Sequence, residues 1–306
     1  MNRITFTVVL AFFCCTLGFA QGLTYKEIKT IEKSIPCTSK NKLSISGERT
    51  YLNLSSWNQN HIKANINVIS KYTDKNQAST DLEKVNVVFE KSGKSIMYSN
   101  ALRIKSPADK PKSNITVTVD LKVPKGMKVD ISNAFGEIEI SGEFEMIESQ
   151  SDFSAINIYD FSGVTDIRTK YGDITIDRYN GEMNIKADRS NVTLENVTGK
   201  TEIEASYGEL EISYPRRSAF YNVNASYSPI SLYIQEDFEE AVALTCKECS
   251  IIGKEDILPL KISIEGEDSN GIISKTKGKK PTSLISSEIE NIKIKTYKSK
   301  STKPTQ

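Results

Sequence analysis

The chain has 306 residues, and its 40 lysines and arginines nearly balance its 39 aspartates and glutamates, giving a net charge of +1. A chain without a global basic field lacks the electrostatic footprint of a nucleic-acid-binding protein, so we expect no nucleic-acid partner. The length fits either one long repeat domain or two ordinary domains.

The first 20 residues have the order of an export signal. Arg3 supplies a positive charge, residues 4–19 are mostly apolar, and residues 18–20 read Gly-Phe-Ala, a small-x-small cleavage site. We therefore predict a signal peptide at residues 1–20 and export to the periplasm, the outer membrane surface or the extracellular space. A lipoprotein signal at one of the two cysteines in this stretch is the weaker alternative, because a bulky residue precedes each. No other apolar run is long enough to span a membrane, so the mature chain is predicted to have no transmembrane span.

Residues 21–130 are predicted to form a β-rich N-terminal region that leads into the repeats. Near its start, Ile28, Ile31 and Ile35 fit either one helical turn or a strand, and the spacing does not decide between them. Further on, apolar and polar residues alternate, which predicts strands with one buried face. The polar segment at residues 73–84 predicts a short helix near residues 78–83.

Residues 131–275 repeat themselves, which is the mark of a repeat architecture. The repeats begin at Phe135, Phe153, Tyr171, Arg189, Tyr207 and Tyr227, with a spacing of 18 residues four times and then 20. Within a unit, runs such as Ile174-Thr175-Ile176 alternate, so each unit contains strands with one buried face. Asn180-Gly181 is a strong turn signal between two strands of one unit.

One unit cannot bury its apolar face alone, so we predict that the units stack in parallel. The predicted fold class is all-β, a single-stranded β-solenoid or β-helix with coils of about 18 residues. The first inward ladder is predicted to contain Ile138, Ile156, Ile174, Val192, Leu210 and Ile230. The second is predicted to contain Ile140, Ile158, Ile176, Leu194, Ile212 and Leu232. The third, on the opposite wall, is predicted to contain Ile167, Ile185, Ile203 and Val223.

After Leu232 the pattern loosens. Residues 238–245 are interpreted as the second strand of that coil, and the apolar pairs up to residue 273 as further, less regular turns. Residues 276–306 are predicted to contain a C-terminal cap strand, around Ile292 and Ile294, and a basic disordered tail.

Several phrases together resemble a known family. Val123-Pro124-Lys125-Gly126, followed by Val129-Asp130-Ile131 and repeated elements such as Tyr171-Gly-Asp-Ile-Thr-Ile, resembles the DUF4097 family of adhesin-like proteins. The run at residues 42–45, with Trp57 further on, is similar to the start of exported members from Bacteroidetes. Over about residues 40–275, the resemblance implies a β-solenoid, export and no known enzymatic activity, and it lends no functional residues. The sequence departs from the family pattern at residues 47–51 and at Arg189.

The sharpest chemical motif is Cys246-Lys247-Glu248-Cys249. As a metal site it lacks a second ligand pair, and the only histidine, His61, is far away in sequence. As a redox motif it lacks the βαβ context that lowers a thiol pKa. We interpret it as a pair at a strand end, either buried or joined by a local disulfide. We predict no catalytic residue, no metal and no cofactor.

Two surface features each allow a functional and a structural interpretation. The acidic residues between the inward isoleucines could line a carbohydrate or cation surface, although a solvated strand face is the simpler interpretation. They are Glu137, Glu139, Asp173, Asp177, Glu209 and Glu211. The aromatic residues that begin the repeats could stack on sugars, although a packing ladder at a corner is the simpler interpretation. Asn-x-Ser/Thr sequons occur at Asn114, Asn191, Asn196 and Asn224.

The function predicted from these features is a non-enzymatic exported binding or structural module of the cell envelope. Its partner would be an unknown envelope protein or glycan. The alternative is a polysaccharide-binding or polysaccharide-degrading β-helix protein. The short coils and the scattered positions of the acidic residues argue against this alternative. A hexapeptide acyltransferase is rejected because positions such as Asn180 and Lys186 break the required apolar spacing.

Overall fold

The computed structural model describes residues 24–214, 219–235, 238, 240–253, 260–265, 267–274 and 280–297. Within these ranges nearly every element is a β-strand, and the strands stack as the coils of a β-solenoid. The predicted fold class is confirmed. The predicted signal peptide lies outside the described residues. The disordered basic tail is predicted for residues 295–306; this prediction is wrong for residues 295–297, which belong to a strand, and the rest of the tail lies outside the described residues.

The N-terminal region is β-rich and contains the predicted helix. Its strands are β1 (Tyr25–Pro36), β2 (Lys42–Glu48), β3 (Thr50–Trp57), β4 (His61–Tyr72), β5 (Val85–Ser92), β6 (Ser95–Leu102) and β7 (Asn114–Pro124). The helix α1 (Lys75–Leu82) begins after Asp74, whose side chain accepts a hydrogen bond from the Gln77 N–H group and caps the helix. A single 3-10 turn spans Pro107–Asp109. The segment with three isoleucines that fitted a helix or a strand is the strand β1.

The repeats form the regular part of the solenoid. Their strands are β8 (Lys128–Lys170), β9 (Ile174–Asp188), β10 (Val192–Ser206), β11 (Leu210–Tyr214), β12 (Ala219–Ser226) and β13 (Ile230–Gln235). Ile174 of β9 pairs in parallel with Ile156 on one side and with Val192 on the other, which is the predicted offset of 18 residues. Gly199 pairs with Ala219, so the longer last spacing is also present in the register.

Each coil has two walls. Wall 1 is the layer of strand segments that follow the repeat starts, such as residues 174–177, and wall 2 is the layer that precedes the next start, such as residues 183–188. All three predicted ladders point inward, and none of their side chains is more than 1% exposed. Burying an isoleucine, leucine or valine stabilises the fold by about 1.5–3 kcal/mol, so the ladders are the main source of stability.

The turn between the walls needs glycine at one position. Gly163, Gly181 and Gly199 stack on one another with positive φ. A Cβ atom added to Gly181 would overlap the carbonyl oxygen of Gly163, and one added to Gly199 would overlap that of Gly181. Glycine therefore lets successive coils approach closely at this corner.

The C-terminal strands do not stack in chain order. They are β14 (Ala241–Lys247), β15 (Ile251–Ile252), β16 (Leu260–Glu265), β17 (Asp268–Ser274), β18 (Ser283–Glu288) and β19 (Ile292–Tyr297). β18 lies between β12 and β14, and β19 lies between β13 and β15, all in parallel. Residues 283–297 therefore form an internal coil inserted into the stack.

This insertion corrects two predictions. The strand predicted as a cap within residues 276–306 is internal, because Ile285, Ile292 and Ile294 are buried like the apolar residues of any regular coil. Both edges of that coil can then be paired. The predicted strand at residues 238–245 exists as β14, but β18 separates it from β12. The end of wall 2 is instead formed by antiparallel pairing of β17 with β14 and β16.

The N-terminal end has a similar insertion. β2 lies between β6 and the start of β8, and β3 lies between β7 and the next part of β8. The antiparallel strands β4 and β1 then cover the end of wall 1. The outermost strand, β1, is rich in lysine, which protects a free strand edge against pairing with another chain.

Candidate functional site

The corner that begins each repeat is built on a left-handed backbone residue. Phe135, Phe153, Tyr171, Arg189, Tyr207 and Tyr227 all have φ between 51° and 60°. This conformation is uncommon for bulky side chains. The opposite corner has the same conformation at Asp160, Arg178 and Asn196, which are all polar. The backbone geometry therefore does not explain why the first corner is aromatic.

The side chains of the first corner stack on one another and form what we call the corner column, the six residues just named. The ring centroids of Phe135 and Phe153 are 5.1 Å apart, those of Phe153 and Tyr171 4.9 Å, and those of Tyr207 and Tyr227 4.9 Å, with planes within 10° of parallel. Arg189 fills the remaining gap. Its guanidinium carbon is 5.6 Å from the Tyr171 ring centroid and 5.1 Å from that of Tyr207. These are cation–π distances, so the column is continuous.

The corner column is half-exposed. Its five rings are between 43% and 54% accessible to solvent. Because neighbouring rings cover each other's faces, the column presents ring edges to solvent, and the sugar-stacking interpretation does not fit its interior. The part of the chain that the structure describes offers no hydrogen-bond partner to the hydroxyl groups of Tyr171, Tyr207 and Tyr227. The column thus combines apolar edges with free hydroxyl groups.

The residues that follow the corner column alternate between glycine and serine and hold it in register. They are Gly136, Ser154, Gly172, Ser190, Gly208 and Ser228. The Ser190 hydroxyl accepts a hydrogen bond from the Gly172 N–H group at 3.0 Å and donates one to the Asp188 carbonyl at 3.0 Å. Ser228 accepts in the same way from Gly208 at 3.2 Å. A Cβ atom at Gly172 would overlap the carbonyl oxygen of Ser154, so the alternation lets each serine fit against a glycine.

Beside the column, the outer face of wall 2 contains a shallow groove. Two adjoining depressions, of about 450 Å³ and about 750 Å³, share Gln150 and Arg168 in their linings. The first reaches Ser46 in β2, and the second reaches Asn224 in β12. The residues of the second depression that directly precede the corner column are Asp152, Lys170, Asp188, Ser206 and Ser226. The corner column therefore runs along one side of this wall-2 groove as its rim, and none of its six residues is itself part of the lining.

The charges of the wall-2 groove are mostly paired with each other. Arg168 contacts Asp166 at 3.1 Å, Lys186 contacts Glu204 at 2.7 Å, and Lys170 contacts Asp188 at 3.2 Å. Exposed pairs of this kind stabilise the fold by at most about 1 kcal/mol each. The lining carboxylates still outnumber the lining cations. They are Asp130, Glu148, Asp152, Asp166, Asp188 and Glu204, of which Asp130 also pairs with Lys42 at 2.6 Å. The groove has a small acidic excess.

The acidic residues singled out in the sequence lie on the outer face of wall 1, away from the groove. Asp173 accepts a hydrogen bond from the Asn191 N–H group at 2.9 Å, and Asp177 accepts one from the Asn196 side chain at 2.8 Å. Within the described ranges, no group of three or more histidine, cysteine or acidic residues could hold a metal ion. These contacts fit a solvated strand face. The four sequon asparagines are exposed, at Asn114, Asn191, Asn196 and Asn224.

The cysteine motif closes a corner. A disulfide joins Cys246 to Cys249. Glu248, which lies between them in the sequence, has a φ of 56° like the corner residues of the repeats. This agrees with the interpretation as a local disulfide. The ring centroids of His61, in β4, and Trp57 are 4.6 Å apart, and Cys37 is buried and outside any disulfide among the described residues.

A second aromatic column lies inside the solenoid and was not predicted from the sequence. Phe144, Phe161 and Tyr179 stack with centroids 5.6 Å and 5.1 Å apart, and all are at most 3% exposed. Their spacings of 17 and 18 residues could have revealed them. Burial raises the pKa of the Tyr179 hydroxyl, which hydrogen-bonds to the backbone carbonyl of Glu182 at 2.7 Å.

The N-terminal region contains one fully buried carboxylate, Asp81. Burial alone would raise its pKa, but hydrogen bonds from Lys84, Ser113 and Lys112 outweigh this effect and lower the pKa to about 2. The Lys84 ammonium is 2.8 Å away, and the Ser113 hydroxyl donates at 2.9 Å. Asp81 therefore ties α1 to the start of β7 and has a structural role.

Comparisons with known proteins identify the family but no ligand. No curated protein matches the chain at a significant level. None of the described helices is long and apolar enough to cross a membrane.

Three solved structures match most of the chain at low sequence identity. A "putative cell adhesion protein" from Clostridium sporogenes ATCC 15579 is 14% identical, with 90% of this chain and 100% of that chain covered and a TM-score of 0.28. A "putative lipid binding protein" from Parabacteroides distasonis ATCC 8503 is 9% identical, with 88% and 97% covered and a TM-score of 0.41. A "putative adhesin" from Bacteroides fragilis NCTC 9343 is 10% identical, with 88% and 97% covered and a TM-score of 0.28. Similarities this low assign no function to the chain.

The family model described as Toastrack DUF4097 matches residues 40–295 and confirms the predicted resemblance. The match includes the regular coils, the corner column and the inserted C-terminal coil. The chain belongs to the Toastrack DUF4097 family.

Proposed function

We propose that this protein is a non-enzymatic, adhesin-like binding module of the cell envelope, and that the corner column is its contact surface. The observation that carries the proposal is the half-exposure of five stacked rings on a corner whose counterpart is polar. Contiguous exposed apolar surface marks interaction sites on soluble proteins.

The buried column provides an internal comparison. Phe144, Phe161 and Tyr179 show that this solenoid can stack aromatic rings with almost no exposure. Stacking alone therefore does not require that rings remain exposed. The half-exposed surface of the corner column can still be buried against a partner, and aromatic residues are enriched where partners bind most strongly.

The location and the absence of catalysis belong to the same proposal. The signal-like residues 1–20 support export, and Asp173 and Asp177 on wall 1 each accept a hydrogen bond from a neighbouring amide group, which supports binding without chemistry. The expected partner is an envelope protein or glycan. Incubation with envelope polysaccharides should release no new reducing ends.

The test measures binding of the purified protein to vesicles prepared from the envelope of its native host. In the test variant, Phe153 and Tyr207 are both replaced by serine. The matched control is Tyr51→Ser, because Tyr51 is 50% exposed on wall 1 but lies outside the column. We expect at least a tenfold loss of binding in the double variant and no loss in the control. Unchanged binding by a double variant that keeps its β-sheet circular dichroism would overturn the proposal.

A further inference from the structure

We infer that the wall-2 groove binds a neutral polysaccharide chain that lies along the solenoid axis. The inference rests on the proposed function and names the ligand for the face that adjoins the corner column. It follows from the shape of the groove, the pairing of its strands, the balance of its charges and the free hydroxyl groups on its rim.

The shape fits an extended polymer. From Ser46 in β2 to Asn224 in β12, the groove crosses seven coils, three of them contributed by β8. Neighbouring strands are about 4.8 Å apart, so the six spacings give a length of about 29 Å. Small-molecule sites are usually enclosed and mostly apolar. The wall-2 groove is long and open, and most of the residues that line it are polar.

Backbone pairing argues against an extended peptide. A peptide that binds to a sheet usually adds a strand to a free edge. In the floor of the groove, β9 is paired with β8 on one side and with β10 on the other, and β10 is paired with β12. Their backbone donors and acceptors are already used, so a ligand in the groove must be bound by side chains.

The side chains favour a neutral ligand over an anionic one. The cations Arg168, Lys170 and Lys186 are each held by a carboxylate. A polyanion would have to displace these carboxylates and would meet the acidic excess of the groove. Sugar hydroxyl groups both donate and accept, so they can hydrogen-bond to the carboxylates and to the cations without breaking the pairs.

The rim adds further contacts of the same kind. Tyr171, Tyr207 and Tyr227 carry hydroxyl groups without a partner in the described part of the chain, and they lie next to Lys170, Ser206 and Ser226 of the groove lining. A polyhydroxylated chain in the groove would contact polar groups in its floor and phenolic hydroxyl groups on its rim. The ring edges of these tyrosines would cover the less polar side of the bound polysaccharide chain.

The test compares purified polymers by affinity electrophoresis. The neutral probes are glucan, mannan and galactan, the acidic probes are pectate and alginate, and poly-lysine represents a cationic peptide. The variant Gln150→Trp places a large side chain where the two depressions join. The control Thr175→Trp places the same side chain on the outer face of wall 1, at a strand position that is also exposed.

We expect binding of at least one neutral polysaccharide, weakened at least tenfold by Gln150→Trp and unchanged by Thr175→Trp. Binding should also persist at 0.5 M salt, because it does not depend on net charge. Binding of acidic polymers or poly-lysine only, equal effects of the two tryptophans, or no binding of any neutral probe would each overturn the inference. If envelope vesicles still bind through the corner column in that case, the proposed function stands and only the ligand is wrong.

Discussion

The register of the solenoid can be tested at two adjacent residues, Ile176 and Thr175. Ile176 is fully buried and pairs with Ile158 on one side and Leu194 on the other, whereas Thr175 is exposed. Replacing each residue by aspartate introduces the same charge on opposite faces of one strand.

The two substitutions should differ by several kcal/mol. Ile176→Asp loses about 1.5–3 kcal/mol of apolar burial. It also places a carboxyl group among isoleucines and leucines, where burial can raise a pKa by up to about 3–5 units. At pH 7, keeping that group protonated costs up to about 4 kcal/mol more, at about 1.4 kcal/mol per unit. The sum is comparable with the whole stability of an ordinary domain, about 5–15 kcal/mol. Thr175→Asp should cost about 0.5 kcal/mol or less.

The assay is urea denaturation of both variants, followed by far-ultraviolet circular dichroism at pH 7 and pH 4. The cost of Ile176→Asp should shrink at pH 4, because less free energy is needed to protonate the carboxyl group. Hydrogen exchange should also quicken at residues 156–158 and 192–194, since each coil is held mainly by its neighbours. If Thr175→Asp is the more damaging variant, or if both are equal, the assignment of inward and outward faces is wrong.

Two further predictions concern the ends of the solenoid. The pKa of Asp81 is lowered from 3.8 to about 2 in the folded state, so its contribution to stability, about 2 kcal/mol, is present above pH 4 and is lost as the pH falls towards 2. The free energy of unfolding of Asp81→Asn should therefore vary less over this range than that of the parent protein, and an equally steep decline in both would contradict the role given to Asp81. The double variant Cys246→Ser, Cys249→Ser should keep its circular dichroism and lose no more than about 2 kcal/mol, because the disulfide closes a very short loop. Stoichiometric zinc in the parent protein that is absent from this variant would show that the cysteines bind metal instead.

The regular coils could be predicted from the sequence because their physical signals are local. Alternation assigns a face to each residue, and the period of 18 assigns its neighbours, so the ladder around Ile176 follows from two patterns. The corner column could be found for the same reason, even across Arg189. Its exposure could not be predicted, because the same period of aromatic residues also describes the buried rings of Phe161 and Tyr179.

The order of the coils could not be predicted, and the reason is physical. Each coil offers parallel backbone pairing on both sides and apolar residues at equivalent inward positions. Any coil of this type can therefore stack on any other, and local pattern does not specify which one follows. Ile285 and Ile294 satisfy the pattern as well as the residues of β14 do.

What selects the inserted order must lie outside the alternating pattern. In the structure, Tyr214 contacts Ser283, and the Ser283 hydroxyl accepts a hydrogen bond from the Tyr221 N–H group at 3.0 Å. Ser286 also donates to the Asn224 side chain. These contacts join the last coil to the coil of β12 and would be lost if β14 stacked there directly. Fixed polar partners of this kind make one order of otherwise interchangeable coils more stable than the others. The same order places β18 beside β12, so residues 283–288 extend wall 2 beyond the end of the groove to which we assign binding.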